Sequence, residues 1–301
     1  MLALVNPLSG GGRGAARWMR IEAELTRRNP GLRSCCCPPA AVPARIERAL
    51  DDGECWFIAA GGDGTVNLVA SALARRGCAG TLGALGLGSS NDFHKPVTQR
   101  LHGIPARLDF AHAEPRDVGV IELTNESGER RTRYFLVNAS AGVTADANWR
   151  FNNPGPVLAA LKRLSTDLAI LAAALRSIMR SQPLRLRLTI DDTVRDVALK
   201  NLAVTKSAHF AGALHYGTPF EPRSGAMHVH SIGAVSVYRL LCILAALSRG
   251  AFSGLAQTES TRAFRVRLSA DEPFAIECDG EVTRAMAAEF SILRQRLWCA
   301  A

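Results

Sequence analysis

Four short stretches hold the residues able to do chemistry. In "GGDGT" (61–65), Gly61, Gly62, Asp63, Gly64 and Thr65 follow an apolar run that ends at Ala59-Ala60. Thr65, Val66, Leu68, Val69, Ala72 and Leu73 then repeat at helical spacing, so the stretch is a strand-to-helix turn with almost no side-chain bulk. Such a turn lets backbone N–H groups converge on phosphate oxygens at the positive end of the next helix. Asp63 would repel a bare phosphate, so its presence asks for Mg²⁺ or a ribose hydroxyl there too. "NPLSGGGRG" (6–14) repeats the design: Ser9 and the glycines, Gly10 first, can donate, and Arg13 or Arg17 can reach a phosphate. "GLGSSNDFHK" (86–95) offers Gly88, Ser89, Ser90, Asn91 and Asp92 at the start of a short helix, a set that also serves as an ordinary N-cap. "IECDGEV" (276–282) sets Asp279-Gly280-Glu281 at a turn after the apolar strand Phe274–Cys278, where a D-G pair is also a common hairpin turn.

Other chemistries fit less well. Gly10-x-Gly12-x-x-Ala15 matches a dinucleotide-binding pattern, but cysteines and prolines stand where that pattern wants an acid, which weakens hydride transfer. No G-x-x-x-x-G-K-[ST] occurs, so this is not a P-loop protein. His228 and His230 share a strand face without a third ligand, so zinc is not expected.

The elements that position these loops can be read from periodicity. Strands at Leu2–Val5, Arg33–Cys36, Trp56–Ala60 and Thr81–Leu85 alternate with helices at Ala15–Arg28, Val42–Leu50 and Thr65–Arg75. This order predicts a parallel sheet, with the three glycine loops together at its carboxyl edge. Beyond about residue 115 the pattern changes. Strands at Asp117–Leu123 and Arg131–Val137 flank a turn, and one long apolar helix is predicted over Pro156–Arg180. Strand-like runs follow at 184–190, 195–204, 227–232, 262–268, 273–278 and 288–296, with a hairpin turn at Asp191-Asp192. The expected division is a nucleotide-binding domain over 1–114 and a β-rich domain over 115–301, whose extreme C-terminus packs back on the first.

Composition bounds the rest. The 301 residues are 48% hydrophobic with a formal net charge of +9, which suits a packed core and an anionic partner. The eight cysteines form no CxxC pair, and three are adjacent, which suits neither a metal site nor a disulfide framework, so Cys55 and Cys278 are expected as small buried residues in a reducing cytoplasm. No signal peptide is read before Leu2, and Val235–Leu247, the best candidate span, is short and carries Arg239. The chain is basic but has no aromatic-basic stripe, so no nucleic acid partner is expected.

Taken in order, "NPLSGGG" (6–12), "GGDGTVN" (61–67), "GLGSSNDFHK" (86–95), "DVG" (117–119), "YFLVNASAGVTADA" (134–147) and "CDGE" (278–281) resemble the diacylglycerol kinase catalytic-domain superfamily of bacterial soluble lipid kinases and sphingosine kinases. The resemblance runs nearly end to end. It implies an α/β plus β protein: a Rossmann-like three-layer domain, a C-terminal β-sandwich with helical insertions, and an active-site cleft between them. It implies ATP held by Asn6, Ser9, Gly10, Gly61, Gly62, Gly64, Thr65, Gly88, Ser89 and Asn91, with Mg²⁺ at Asp63 and Glu281. Asp279 would be the general base toward a lipid hydroxyl, and Glu281 would assist it. The resemblance departs at Gly86, which stands for proline, at Ser89 for threonine, at His94-Lys95 for Ala-Arg, and at Ser224-Gly225 for an acid-glycine pair.

The expectation is an ATP-dependent kinase of a diacylglycerol-like alcohol in phospholipid metabolism, cytoplasmic and peripherally membrane-associated, with a homodimer as the default assembly. Helix 156–180 would line an acyl-chain pocket, and Arg150, Lys162, Arg163, Arg176 and Arg180 would face an anionic leaflet. The competing readings are a NAD kinase-like phosphotransferase, which shares G-G-D-G-T, and a diverged nucleotide-binding protein without turnover.

Overall fold

The computed structural model describes residues 1–301, the side chains of Thr166 and Asp167 apart. The chain divides into two compact units: Met1–Asp117 with Arg294–Ala301, and Val118–Leu293.

The first unit begins β1 (Leu2–Val5), a single helical turn α1 (Ser9–Gly12), α2 (Gly14–Arg28), β2 (Arg33–Cys36), α3 (Val42–Asp51), β3 (Trp56–Gly61), α4 (Asp63–Arg75) and β4 (Thr81–Gly86). A hairpin of β5 (Gln99–Leu101) and β6 (Ile104–Arg107) follows. The strand order is β2-β1-β3-β4, all parallel, with β6 antiparallel against β4. Leu2 to Val5 are all buried, the unbroken apolar run of a strand covered on both faces. α2 turns Trp18, Ile21 and Leu25 onto Ala3, Val5, Ile58 and Leu85, which is why its apolar positions recur at helical spacing. The parallel order sets the ends of β1, β3 and β4, and hence the three glycine loops, at one edge of the sheet. The first loop is more structured than its glycines suggest. Gly10 and Gly11 take left-handed conformations (φ 58° and 72°) inside α1, and α2 starts one residue early, at Gly14.

The second unit is β-rich. It carries β7 (Glu114–Thr124, its first turn of chain in the first unit), β8 (Arg130–Phe135), β9 (Asn138–Gly142), α5 (Val143–Asn152), α6 (Pro156–Leu164) and α7 (Thr166–Arg180). Then come β10 (Leu184–Ile190), β11 (Thr193–Thr205), β12 (His209–Phe210), β13 (Leu214–His215), β14 (Met227–Gly233), α8 (Val237–Leu247), β15 (Thr258–Ala263), β16 (Val266–Cys278) and β17 (Glu281–Cys299). The antiparallel order runs β15-β14-β11-β10-β16-β17, and β9 pairs with both β11 and β16. Leu186, Leu188, Leu202, Val204, Phe274, Ile276 and Phe290 pack in its core. The last residues of β17 pair in parallel with β4, Trp298 opposite Thr81.

Three expectations need correction. Cys55 is exposed, whereas Cys278 is buried as expected. Residues 156–180 are not one helix. Ser165 is extended (φ −153°, ψ 123°) and its hydroxyl accepts the Leu168 N–H at 3.3 Å, so it ends α6 and caps α7. The run 288–296 is part of a strand of 19 residues. The Asp191 turn forms as expected, with Asp191 at φ 49° and its carboxylate accepting the Phe264 and Arg265 N–H groups. Among the described residues, no helix is long and apolar enough to cross a membrane.

Candidate active site

At the carboxyl edge of the first unit's sheet, the three loops are bonded to one another. Asn6 donates through Nδ2 to Thr65 Oγ1 at 3.0 Å, joining the loop after β1 to the first turn of α4. Its Oδ1 accepts the Leu8 N–H, and its carbonyl accepts the Ser9 hydroxyl. The Leu87 and Gly88 N–H groups donate to the Gly61 carbonyl at 2.8 and 3.2 Å, which fixes the third loop on the second. Asn91, left-handed at φ 49°, folds its amide back onto Gly86 and Gly88. Asp63 opens α4 and accepts the Phe93 N–H at 2.9 Å through Oδ1.

The glycines divide into two kinds. A Cβ on Gly88 would lie 2.5 Å from the Gly62 Cα, and one on Gly61 would lie 2.2 Å from Thr65 Oγ1. Gly88 lets the third loop touch the second, and Gly61 lets Thr65 pack back on its own loop. A Cβ on Gly64 or Gly12 would meet nothing within 4 Å, so at those two positions the absence of bulk keeps backbone open toward solvent. The arginines expected to reach phosphate are otherwise engaged. Arg17 donates to the Leu87 and Gly88 carbonyls at 2.8 and 3.0 Å, and Arg13 Nε donates to the Gly10 carbonyl. Burial, then Arg13 and Arg20, pull the Arg17 guanidinium below its ordinary value. Ser89 is exposed.

The D-G-E turn lies in the second unit. Asp279 is buried and left-handed at φ 44°. Its Oδ2 accepts the Leu136 N–H at 2.8 Å, and its Oδ1 accepts those of Val137 and Asn138 at 3.1 and 2.9 Å. Three successive backbone donors therefore fix the carboxylate's orientation. Glu277, which sequence reasoning missed, lies beneath the turn. It accepts the Gly280 N–H at 2.6 Å, the Ser140 hydroxyl at 2.8 Å and the Asn138 side-chain amide at 3.1 Å. Burial pushes its pKa up to about 7, against the pull of the Gly280 N–H and the Ser140 hydroxyl. The available signal was an acid inside the apolar run Phe274–Cys278. Glu281 is ion-paired to Arg133 at 2.6 Å, and Asn152 donates to the Gly280 carbonyl at 2.8 Å.

The structure thus gathers Asn6, Ser9, Gly61, Gly62, Asp63, Thr65, Gly88 and Asn91 in one network, and Asp279, Glu281 and Glu277 in another. Asp63 and Glu281, the expected metal pair, belong to different units. Among the described residues, no group of three or more His, Cys, Asp or Glu is arranged to hold a metal ion. Mg²⁺ commonly takes one or two carboxylates and completes its shell with water and substrate phosphates. Asp63, at a helix start beside an open glycine backbone, fits that donor set, whereas Glu281 already serves Arg133.

Residues 1–122 match the diacylglycerol kinase catalytic domain, and residues 138–300 match the YegS C-terminal NAD kinase beta sandwich-like domain. The diacylglycerol kinase of Bacillus subtilis is 23% identical over 254 residues, 84% of this chain and 80% of that one. A Klebsiella pneumoniae protein named "Probable lipid kinase YegS-like" is 48% identical over 66 residues, 22% of this chain and 20% of that one. In fold, the chain is similar to a diacylglycerol kinase from Bacillus anthracis (TM-score 0.69, 15% identity, 99% of this chain and 95% of that one). It is also similar to yeast NADH kinase (TM-score 0.51, 12% identity, 100% and 82%). With both halves matched in order, the chain belongs to the diacylglycerol kinase catalytic-domain superfamily, the family of the diacylglycerol and YegS-like lipid kinases.

Proposed function

We propose that this protein transfers the γ-phosphate of ATP to the hydroxyl of a membrane lipid alcohol of the diacylglycerol class. The observation that carries the choice of acceptor is an apolar groove on the second unit. It has a volume of about 560 Å³, lies between α6 and α7, and is lined by Val157, Leu158, Leu161, Ala172 and Met179 with Arg176 and Arg180. α6 buries none of its residues, and Val157, Leu164, Leu171 and Met179 stand exposed beside Lys162 and Arg163. An acyl chain would cover such a surface, and an anionic leaflet would meet its basic rim. NAD has no apolar tail to fill it.

Phosphoryl transfer needs positioning and charge neutralisation more than covalent chemistry. The first unit's open backbone at Gly12 and Gly64 would cradle the triphosphate, with Thr65 and Asn6 holding the loops in place. Bound Mg²⁺ would neutralise charge on the phosphates, and Asp63 would hold it. Asp279 would accept the proton of the attacking hydroxyl, its carboxylate already oriented by residues 136–138. Glu277 would keep the turn in shape, and Glu281 would act through Arg133. A cleft in which nucleotide and alcohol meet, peripheral membrane binding and a homodimer complete the proposal.

The test is transfer of labelled phosphate from Mg-ATP to diacylglycerol in mixed micelles. Label in phosphatidic acid supports the reading. Label on NAD and none in lipid would favour a NAD kinase, and bound ATP without transfer to either would favour a non-catalytic binder.

A further inference from the structure

Behind the third loop, the first unit buries a cluster of basic groups that the proposed reaction does not use. His94 is 3% exposed, and neither of its ring nitrogens has a partner. Arg107 Nε is likewise buried and unpartnered. The Arg116 and Arg107 guanidinium carbons lie 4.9 and 5.7 Å from the centre of the Phe93 ring, and that ring meets His94 edge-on at 5.8 Å. Three nitrogen bases therefore gather around one phenyl ring.

The acids nearby are engaged elsewhere. Asp92 pairs with Lys95 at 2.6 Å, Asp63 accepts the Phe93 N–H, and Asp117 accepts the Gln295 N–H at 2.9 Å. Glu114 and Asp117 act on Arg116 through their fields. Burial first, then Arg107 and Arg116, hold His94 neutral, with its pKa pulled down to about 3. Buried polar atoms are ordinarily satisfied, and like charges are not ordinarily packed together in low dielectric. An anion that accepts from the two guanidiniums and from the single N–H of the neutral His94 ring would offset the like charges and partner Arg107 Nε and one of the His94 nitrogens. Arg107 and Arg116 both keep part of their surface open to solvent, so such an anion has a route in. Planar guanidinium forks match tetrahedral oxyanions well.

We propose that His94, Arg107 and Arg116 form a binding site for a phosphate-class oxyanion, adjoining the Asp63 turn. The ligand is either free phosphate or the phosphate of an anionic lipid headgroup. The site rests on first-unit geometry alone and stands whether or not the chain phosphorylates lipid.

The test is NMR of protein labelled at the histidine ring nitrogens, titrated with inorganic phosphate at constant ionic strength against chloride. The His94 resonances should shift saturably with phosphate and stay still with chloride. Arg116→Gln should weaken that binding by about tenfold or more, the loss of one charge-assisted hydrogen bond. A parallel titration compares vesicles of phosphatidylglycerol with vesicles of phosphatidylcholine. A shift with phosphatidylglycerol but not with free phosphate assigns the lipid source, and the reverse assigns the free ion. His94 resonances unmoved by both, or an unchanged affinity in a folded Arg116→Gln, would overturn the site. If Arg116→Gln does not fold, the wild-type titrations decide alone.

Discussion

Asn138 and Asp279 are bonded in both directions: the Asn138 N–H donates to the Asp279 carboxylate at 2.9 Å, and the Asp279 N–H donates to the Asn138 carbonyl at 2.9 Å. The Asn138 side chain then donates to Glu277 at 3.1 Å. One residue at the start of β9 therefore fixes both Asp279 and the Glu277 beneath it. Asn138→Ala keeps the backbone bonds and removes only the amide from Glu277. The expected cost is about 1–3 kcal/mol, the usual range when a buried acceptor loses a donor. Urea unfolding of the variant measures it, and an unchanged midpoint would show that the amide contributes nothing.

Glu277 predicts a pH dependence of stability. Folded, it holds its proton up to about pH 7; its ordinary value is 4.5. Between those values the folded state binds more protons than the unfolded state, so stability falls as pH rises. The contribution is whole below pH 4.5 and lost above pH 7. The full span is on the order of 3 kcal/mol. Glu277→Gln should flatten that decline and melt higher than the parent above neutrality. Parallel curves for the two proteins would contradict a raised pKa at this site.

The two kinds of glycine predict opposite outcomes. Gly88→Ala drives a methyl into the Gly62 backbone and should destabilise the protein by more than about 2 kcal/mol, as over-packing does. Gly64→Ala meets nothing and lies in the first turn of a helix, so stability should hold or rise by up to about 1 kcal/mol. Calorimetric titration with Mg-ATP should nevertheless show a marked loss of affinity for Gly64→Ala. Full affinity there would remove Gly64 from the phosphate cradle.

How much of this was legible in the sequence follows from where each feature is encoded. The loops at 61–64 and 86–91 were readable because local glycine runs follow strongly apolar strands. The break at Ser165 was not legible, because the apolar periodicity on both sides masked a serine able to cap a helix. The occupations of Arg13 and Arg17 by backbone carbonyls were not readable, because an arginine's partner is set by tertiary packing. Glu277 was hidden by its neighbours: its partners Asn138 and Ser140 are some 140 positions earlier, and only the pairing of β9 with β16 brings them together.

The exposed face of α6 and α7 predicts how the protein meets lipid. Leu164→Glu with Leu168→Glu places two acids among exposed apolar side chains outside the groove lining and leaves the core untouched. Sedimentation with phosphatidylglycerol vesicles should fall several-fold, while turnover on a short-chain, water-soluble diacylglycerol should be retained. Unchanged sedimentation would remove this face from the membrane contact.

Lipid phosphorylation and the role of Asp279 are read together by labelled phosphate transfer from Mg-ATP to a total lipid extract, with Asp279→Asn assayed beside the parent protein. Label should appear in an organic-soluble product and fall by about 10²–10⁴-fold in the variant, as for loss of a general base. Equal labelling by the two proteins would contradict the role given to Asp279. Label appearing only on NAD offered in parallel would contradict the lipid acceptor itself.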